Sequence, residues 1–161
     1  MSTANKNLSN YELLDISFAK KLKIAIVISE WNHNITNSLY NACKTTLINN
    51  GLEEKKINNF NVPGSYELIF ASNKISKESG YDAIIAIGSI IRGETPHFDY
   101  ICQAVSNGIQ KINLKSNIPV IFGVLTDDTM QQAIDRSGGK HGNKGVELAV
   151  SALKMILFNK K

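Results

Sequence analysis

Four times along this chain a β-branched, apolar run of strand length gives way to a stretch with helical spacing, and few folds accept that alternation. The run "KLKIAIVIS" (21–29) precedes "WNHNITNSLYNACKTTLINNG", in which Ile35, Leu39, Cys43 and Leu47 recur every four residues. Gly51 closes that helix, since glycine takes the left-handed C′ conformation at little cost. "KKINNFNV" reads as a second strand ending at Pro63 and Gly64, and "SYELIFASNKISKESG" as its helix, with Tyr66, Phe70 and Lys74 on one face and Gly80 beyond. "YDAIIAIGSII" is apolar on both faces, as a central parallel strand must be, and "HFDYICQAVSNGIQKIN" follows with Ile101, Val105, Ile109 and Ile112 in register. "IPVIFGVLT" is the fourth strand, and "TMQQAIDRSG" and "NKGVELAVSALKMILF" are closing helices.

Strands separated by helices of this length form βαβ units, because a parallel neighbour is reached only by a crossover. The expectation is an α/β fold, a three-layer αβα sandwich with a four-stranded parallel sheet covered by helices on both faces. A chain of 161 residues makes one domain, 1–161, with residues 1–12 a polar N-terminal arm. Both cysteines, Cys43 and Cys102, sit alone inside amphipathic runs, which offers no disulfide framework or CxxC motif and fits a reducing compartment. The three histidines lack ligand spacing, so no metal site is expected. Residues 1–20 lack a signal-like apolar stretch and no run reaches spanning length, giving a cytoplasmic protein with no membrane partner. The net charge of +4 comes from scattered lysine pairs without an arginine stripe or interleaved aromatics, so no nucleic-acid partner is expected either.

In an open parallel sheet, ligands bind beyond the carboxyl ends of the strands. The four ends carry "SEWN" (29–32), "VPGSYE" (62–67), "SIIRGETPH" (89–97) and "LTDD" (125–128), and these should share one rim. In "RGETPH" the proline suits a first helical turn, and the amides of Gly93, Glu94 and Thr95 with the positive helix end would cradle an anion such as phosphate. His97 would stand beside that anion as a proton carrier. A plainer account of the same residues stays open: Thr95 capping the helix, Arg92 paired with Asp99 on the surface, and His97 exposed without a task. Likewise Trp31 can be a packing residue and Glu67 a solvated first-turn carboxylate. "GGKHGNKG" (138–145) is not a P-loop, because Asn143 precedes Lys144 and no strand leads into it; it reads as a kink between helices. No GxGxxG follows the first strand, which disfavours dinucleotide binding.

Taken in order, "WN", "VPGSYE", "GSIIRGETPHFDY" and "IPVIFGVLTDDTMQQAIDRSGGKHGNKG" resemble the lumazine synthase family of riboflavin biosynthesis, from about residue 20 to residue 158. The resemblance implies a transferase-type condensing enzyme that needs no cofactor and joins 5-amino-6-ribitylaminouracil to 3,4-dihydroxy-2-butanone 4-phosphate. It implies that Trp31 stacks on the pyrimidine and Asn32 orders its loop. Ser65, Tyr66 and Glu67 would hold the ribityl chain, and Ser89, Ile90 and Ile91 would bond the ring through backbone groups. Gly93, Glu94, Thr95 and Arg136 would bind phosphate, with His97 as the proton carrier. Phe122 and Arg136 would come from a neighbouring subunit, with Lys144 near the ring system. The family also implies a pentamer with shared sites, and the short "GGKHG" resembles the branch that builds 60-subunit icosahedral shells. Glu30, Leu68 with Ile69, Ser89 and Asp127 depart from the usual family pattern. Two other classes fit the fold: a flavin or lumazine carrier without turnover, and a structural shell protein. The archaeal riboflavin synthases are related, but "RGETPHFDY" fits them less well.

Overall fold

The computed structural model describes residues 7, 9–14, 16, 18–78 and 80–160. Its elements run β1 (Ile24–Ser29), α1 (His33–Asn49), β2 (Ile57–Val62), α2 (Leu68–Ile75), β3 (Ala83–Ile91), α3 (His97–Asn113), β4 (Val120–Asp127), α4 (Met130–Arg136), β5 (Ser137–Gly139), β6 (Gly142–Asn143) and α5 (Lys144–Asn159). The four long strands form one sheet in the order β2-β1-β3-β4, and every pairing in it is parallel. The expected αβα architecture is therefore what the chain adopts.

Side chains alternate between the two faces of a strand, so one sheet serves two cores. Ile24, Ile26, Ile85 and Ile87 pack with Leu39 and Cys43 of α1 and Leu153 and Ile156 of α5. Ala25, Val27, Ile84 and Ala86 pack on the opposite face with Leu68 of α2 and Val105 and Ile109 of α3. Two glycines let helices close in. A side chain at Gly145 would run into the Leu39 carbonyl of α1, and a Cβ at Gly123 would stand 2.5 Å from Leu148 Cδ1.

Two local expectations need correction. α2 starts at Leu68, so Tyr66 lies in the turn before it, and Phe70 is 73% exposed. The buried stripe is Leu68, Ser72 and Ile75 at i, i+4 and i+7, hidden from a hydropathy reading because a serine occupies its middle position. The "GGKHGNKG" segment is not a plain kink. β5 and β6 pair antiparallel as a small hairpin, which positive φ at Gly138 (122°) and Gly142 (80°) permits. Asn143 ties the hairpin down: its side chain bonds the Ser38 and Ser137 carbonyls and accepts from the Gly145 amide that starts α5.

Within the expected arm, the Ser9 hydroxyl accepts from the Asn143 amide at 2.9 Å. Residues 1–6 and 8 of that arm lie outside the described residues. Just past it, the Leu14 amide donates to Asn50 Oδ1 and Ile16 and Ala19 enter the first core.

Candidate active site

At the end of β1 the backbone keeps pairing past the strand, with the Glu30 amide on the Val62 carbonyl and the Trp31 amide on that of Pro63. Asn32 then turns the chain into α1 with φ 57° and ψ 45°, a left-handed conformation that asparagine tolerates better than most residues. Its Nδ2 donates to the Ser89 carbonyl at 2.9 Å, which fastens the tip of β1 to the tip of β3. With its own backbone so fixed, the Trp31 indole is 73% exposed at the rim.

The turn after β2 supplies the facing wall. Leu68 and Ile69 amides donate back to Ser65 and Tyr66, which leaves Glu67 exposed at the entrance to α2. Ser65 is 7% exposed, and its hydroxyl has no hydrogen-bond partner among the described residues. It sits over Gly88 of β3, where a Cβ would stand 2.6 Å from Ser65 Oγ. Strand alternation places the Ser89 side chain on the α1 side, so Ser89 faces the cleft through its backbone, while Ile90 turns its side chain toward α2 and α3. The Arg92 amide donates to Asp127 of β4 and the Ser89 carbonyl accepts from the other direction. Ile91 thus carries its amide and carbonyl on the side away from β4.

Between β3 and α3 runs the loop 92–96, held by one arginine. Arg92 bonds both Asp99 oxygens at 3.0 Å through Nη1 and Nη2, takes Asp128 through Nε at 2.7 Å, and lies 4.1 Å above the Phe98 ring. These partners hold the guanidinium strongly protonated and the Asp99 carboxyl below its ordinary range. Thr95 does not cap α3; Pro96 precedes the first turn without a side-chain cap. The amides of Gly93, Glu94, Thr95 and His97 make no hydrogen bond among the described residues. Such a row at a helix start, where the dipole is positive, is suited to an anion.

These parts enclose one cleft of about 530 Å³. Trp31 borders it from β1, Ser65, Tyr66 and Glu67 from the α2 turn, Ser89, Ile90 and Ile91 from β3, and Gly93, Thr95 and His97 from the loop and α3. Gly64, Phe98 and Ile101 line it too. Their signal in the sequence was only adjacency to the polar motifs, with Phe98 and Ile101 one helical turn apart. Among the described residues no group of His, Cys, Asp and Glu could hold a metal ion. The surroundings suit a flat ring, a polyol and an anion, with an imidazole within the same cleft to move protons.

Five expected site residues do not line it. Asn32 is tied back to the Ser89 carbonyl, and Glu94 is exposed in the loop 92–96. Phe122 is on edge strand β4, 40% exposed, and Arg136 ends α4 with Nη1 3.9 Å from Asp127 Oδ1. Lys144 begins α5 and pairs with Glu147 at 2.8 Å.

Residues 21–160 match the sequence pattern of the 6,7-dimethyl-8-ribityllumazine synthase family. A Flavobacterium johnsoniae protein is 51% identical over 161 residues, covering 100% of this chain and 85% of that protein. One from Porphyromonas gingivalis is 51% identical over 155 residues, 96% of each, and one from Cytophaga hutchinsonii 49% over 156, 97% of this chain and 98% of the other. All three bear the name 6,7-dimethyl-8-ribityllumazine synthase.

Proposed function

The chain belongs to the 6,7-dimethyl-8-ribityllumazine synthase family, and from that premise we propose that its rim cleft is where the family reaction runs. The enzyme condenses 5-amino-6-ribitylaminouracil with 3,4-dihydroxy-2-butanone 4-phosphate, releasing phosphate and water, in the penultimate step of riboflavin biosynthesis. The 5-amino group attacks the ketone carbon and the adduct loses water to an imine. A proton then leaves carbon, phosphate departs, and closure of the ring expels a second water.

In this reading Trp31 covers the pyrimidine and the Ile91 backbone meets its edge, whereas the Ile90 amide and carbonyl, expected to share that task, are turned to β4 by the alternation of the strand. Glu67 accepts from the ribityl hydroxyls, beside Ser65 and Tyr66. The amides of Gly93, Glu94 and Thr95 take the phosphate. His97 removes the carbon-bound proton and returns it to a departing oxygen. The observation that carries the reading is that an indole, a carboxylate, a row of unbonded amides and an imidazole border a single cleft. Orientation supplies most of the rate: well-placed reactants reach effective molarities of about 10⁵–10⁸ M, against about 10²–10⁴-fold from a general base.

Phe122, Arg136 and Lys144 serve a neighbour's cleft in this account, so the working unit is a ring of five, assembled twelve-fold into a 60-subunit shell. Support comes from their place outside their own chain's cleft and from large apolar side chains left uncovered, among them Phe70, Tyr100, Phe122 and Met130. The two free cysteines agree with a cytoplasmic enzyme. The deciding experiment mixes purified protein with both substrates and follows lumazine fluorescence. Binding of the lumazine without consumption of substrates would instead make the protein a carrier.

A further inference from the structure

β4 ends on a carboxylate with little to hold it. Asp127 is 5% exposed, and alternation along the strand puts its side chain on the same face as Leu125, the face that α4 and α5 cover. Its Oδ2 has no hydrogen-bond partner among the described residues. Among the described residues its Oδ1 has one cation within reach, Arg136 Nη1 at 3.9 Å, close enough to feel the charge and too far to bond. The neighbouring Asp128 does not share this position, since its carboxylate is engaged by Arg92. Arg136 is itself held lightly, with Nη1 donating to the Gln132 carbonyl at 3.4 Å and its side chain 40% exposed. The arrangement is a buried anion behind a guanidinium whose remaining donors are left for a ligand.

We propose that Asp127 is a positioning residue for Arg136 which competes with phosphate for the guanidinium and so hastens the departure of inorganic phosphate. This rests on the reading of Arg136 as a phosphate ligand. The chemistry calls for such a device. One group, phosphate, enters esterified to the substrate and leaves free, and a site that grips both forms equally gains nothing in turnover. An anion fixed behind the fork weakens the hold on either form. Because Oδ1 stays beyond bonding distance, it does so without sequestering the arginine. Charges withdrawn from water are felt more strongly, and Asp127 is withdrawn. Burial pushes its carboxyl above the ordinary range and Arg136 pulls it back, in keeping with a carboxylate that leans on that one cation.

The test uses the full-length enzyme and inorganic phosphate as a competitive inhibitor against the butanone phosphate. Asp127→Asn should lower the inhibition constant for phosphate about tenfold, equivalent to about 1.4 kcal/mol, and lower KM for the phosphorylated substrate with no gain in kcat. Asp127→Thr, also uncharged but without an amide, should shift both constants the same way; agreement of the two variants assigns the effect to charge rather than to a packing fault. An unchanged or raised inhibition constant in both, with Arg136→Ala still weakening phosphate, overturns the role of Asp127 alone. If Arg136→Ala leaves phosphate inhibition untouched, the assignment of Arg136 itself falls.

Discussion

Arg92 meets Asp99 fork to fork, Nη1 to Oδ2 and Nη2 to Oδ1 each at 3.0 Å, and so joins the residue just past β3 to the first turn of α3. The bidentate geometry fixes both ends of the loop bearing Gly93, Glu94 and Thr95, and the bond to Asp128 adds the end of β4. The same pair that reads in the sequence as an ordinary surface contact is the frame of the proposed phosphate cradle.

Arg92→Lys keeps the charge and loses the fork. Steady-state kinetics should show kcat/KM for the butanone phosphate reduced by up to about 10²-fold, the scale of a misplacement near 1 Å, with saturation by the pyrimidine substrate little changed. Equal losses for both substrates would mean that the arginine serves general stability only.

With His97 as the proposed proton carrier, His97→Ala should slow single turnover by about 10²–10⁴-fold while both substrates still bind, because a proton carrier acts in the transition state and the proposed phosphate cradle is made of backbone amides. An inactive variant that has also lost affinity for the phosphorylated substrate would contradict the role of proton carrier.

What the sequence revealed depended on whether apolar pattern and element coincided. β1 and β3 are buried on both faces and stood out as unbroken apolar runs, and α1 showed its stripe through Ile35, Leu39, Cys43 and Leu47, all fully or nearly buried. α2 was misread because Ser72 occupies its core position while Phe70 points outward. The β5–β6 hairpin was missed because its strands are made of glycine, serine and asparagine and are held by the Asn143 side chain rather than by packing. The rim residues were legible from the strand-end rule. The pairing of Arg92 with Asp128 joins residues 36 apart in sequence, a tertiary fact that no local pattern carries.

Gly88→Ala would bring a Cβ to 2.6 Å from Ser65 Oγ and 3.0 Å from Leu68 Cδ1, so the turn that carries Tyr66 and Glu67 must shift. KM for the ribityl substrate should rise several-fold. Adding Ser65→Gly removes the clashing hydroxyl and Cβ and should recover part of the loss, whereas a double variant no better than Gly88→Ala would place the fault elsewhere.

The proposed sharing of sites between subunits predicts complementation. Arg136→Ala and His97→Ala, each weakly active alone, should regain a fraction of wild-type activity when co-refolded, because some mixed interfaces carry neither change. Sedimentation should find rings of five or their shells. Absence of recovery in verified mixed oligomers would confine each site to one chain.

Asp127 also sets a pH dependence of stability. Its carboxyl titrates above the ordinary carboxylate range, first because burial penalises the charge and in spite of the opposing pull of Arg136, with Asp128 adding to the rise. A raised acid favours the protonated form in the fold, so its contribution is intact below the ordinary value of about 3.9 and lost as pH climbs through the folded value. At neutral pH the wild-type fold therefore bears an ionisation penalty that Asp127→Asn does not. The variant should melt higher at pH 7, by about 2–4 °C for each kcal/mol relieved in a chain of this size, and the gap should close as pH falls toward 4. A variant that melts lower than wild type at pH 7 would show instead that the ion pair with Arg136 outweighs the burial of the charge.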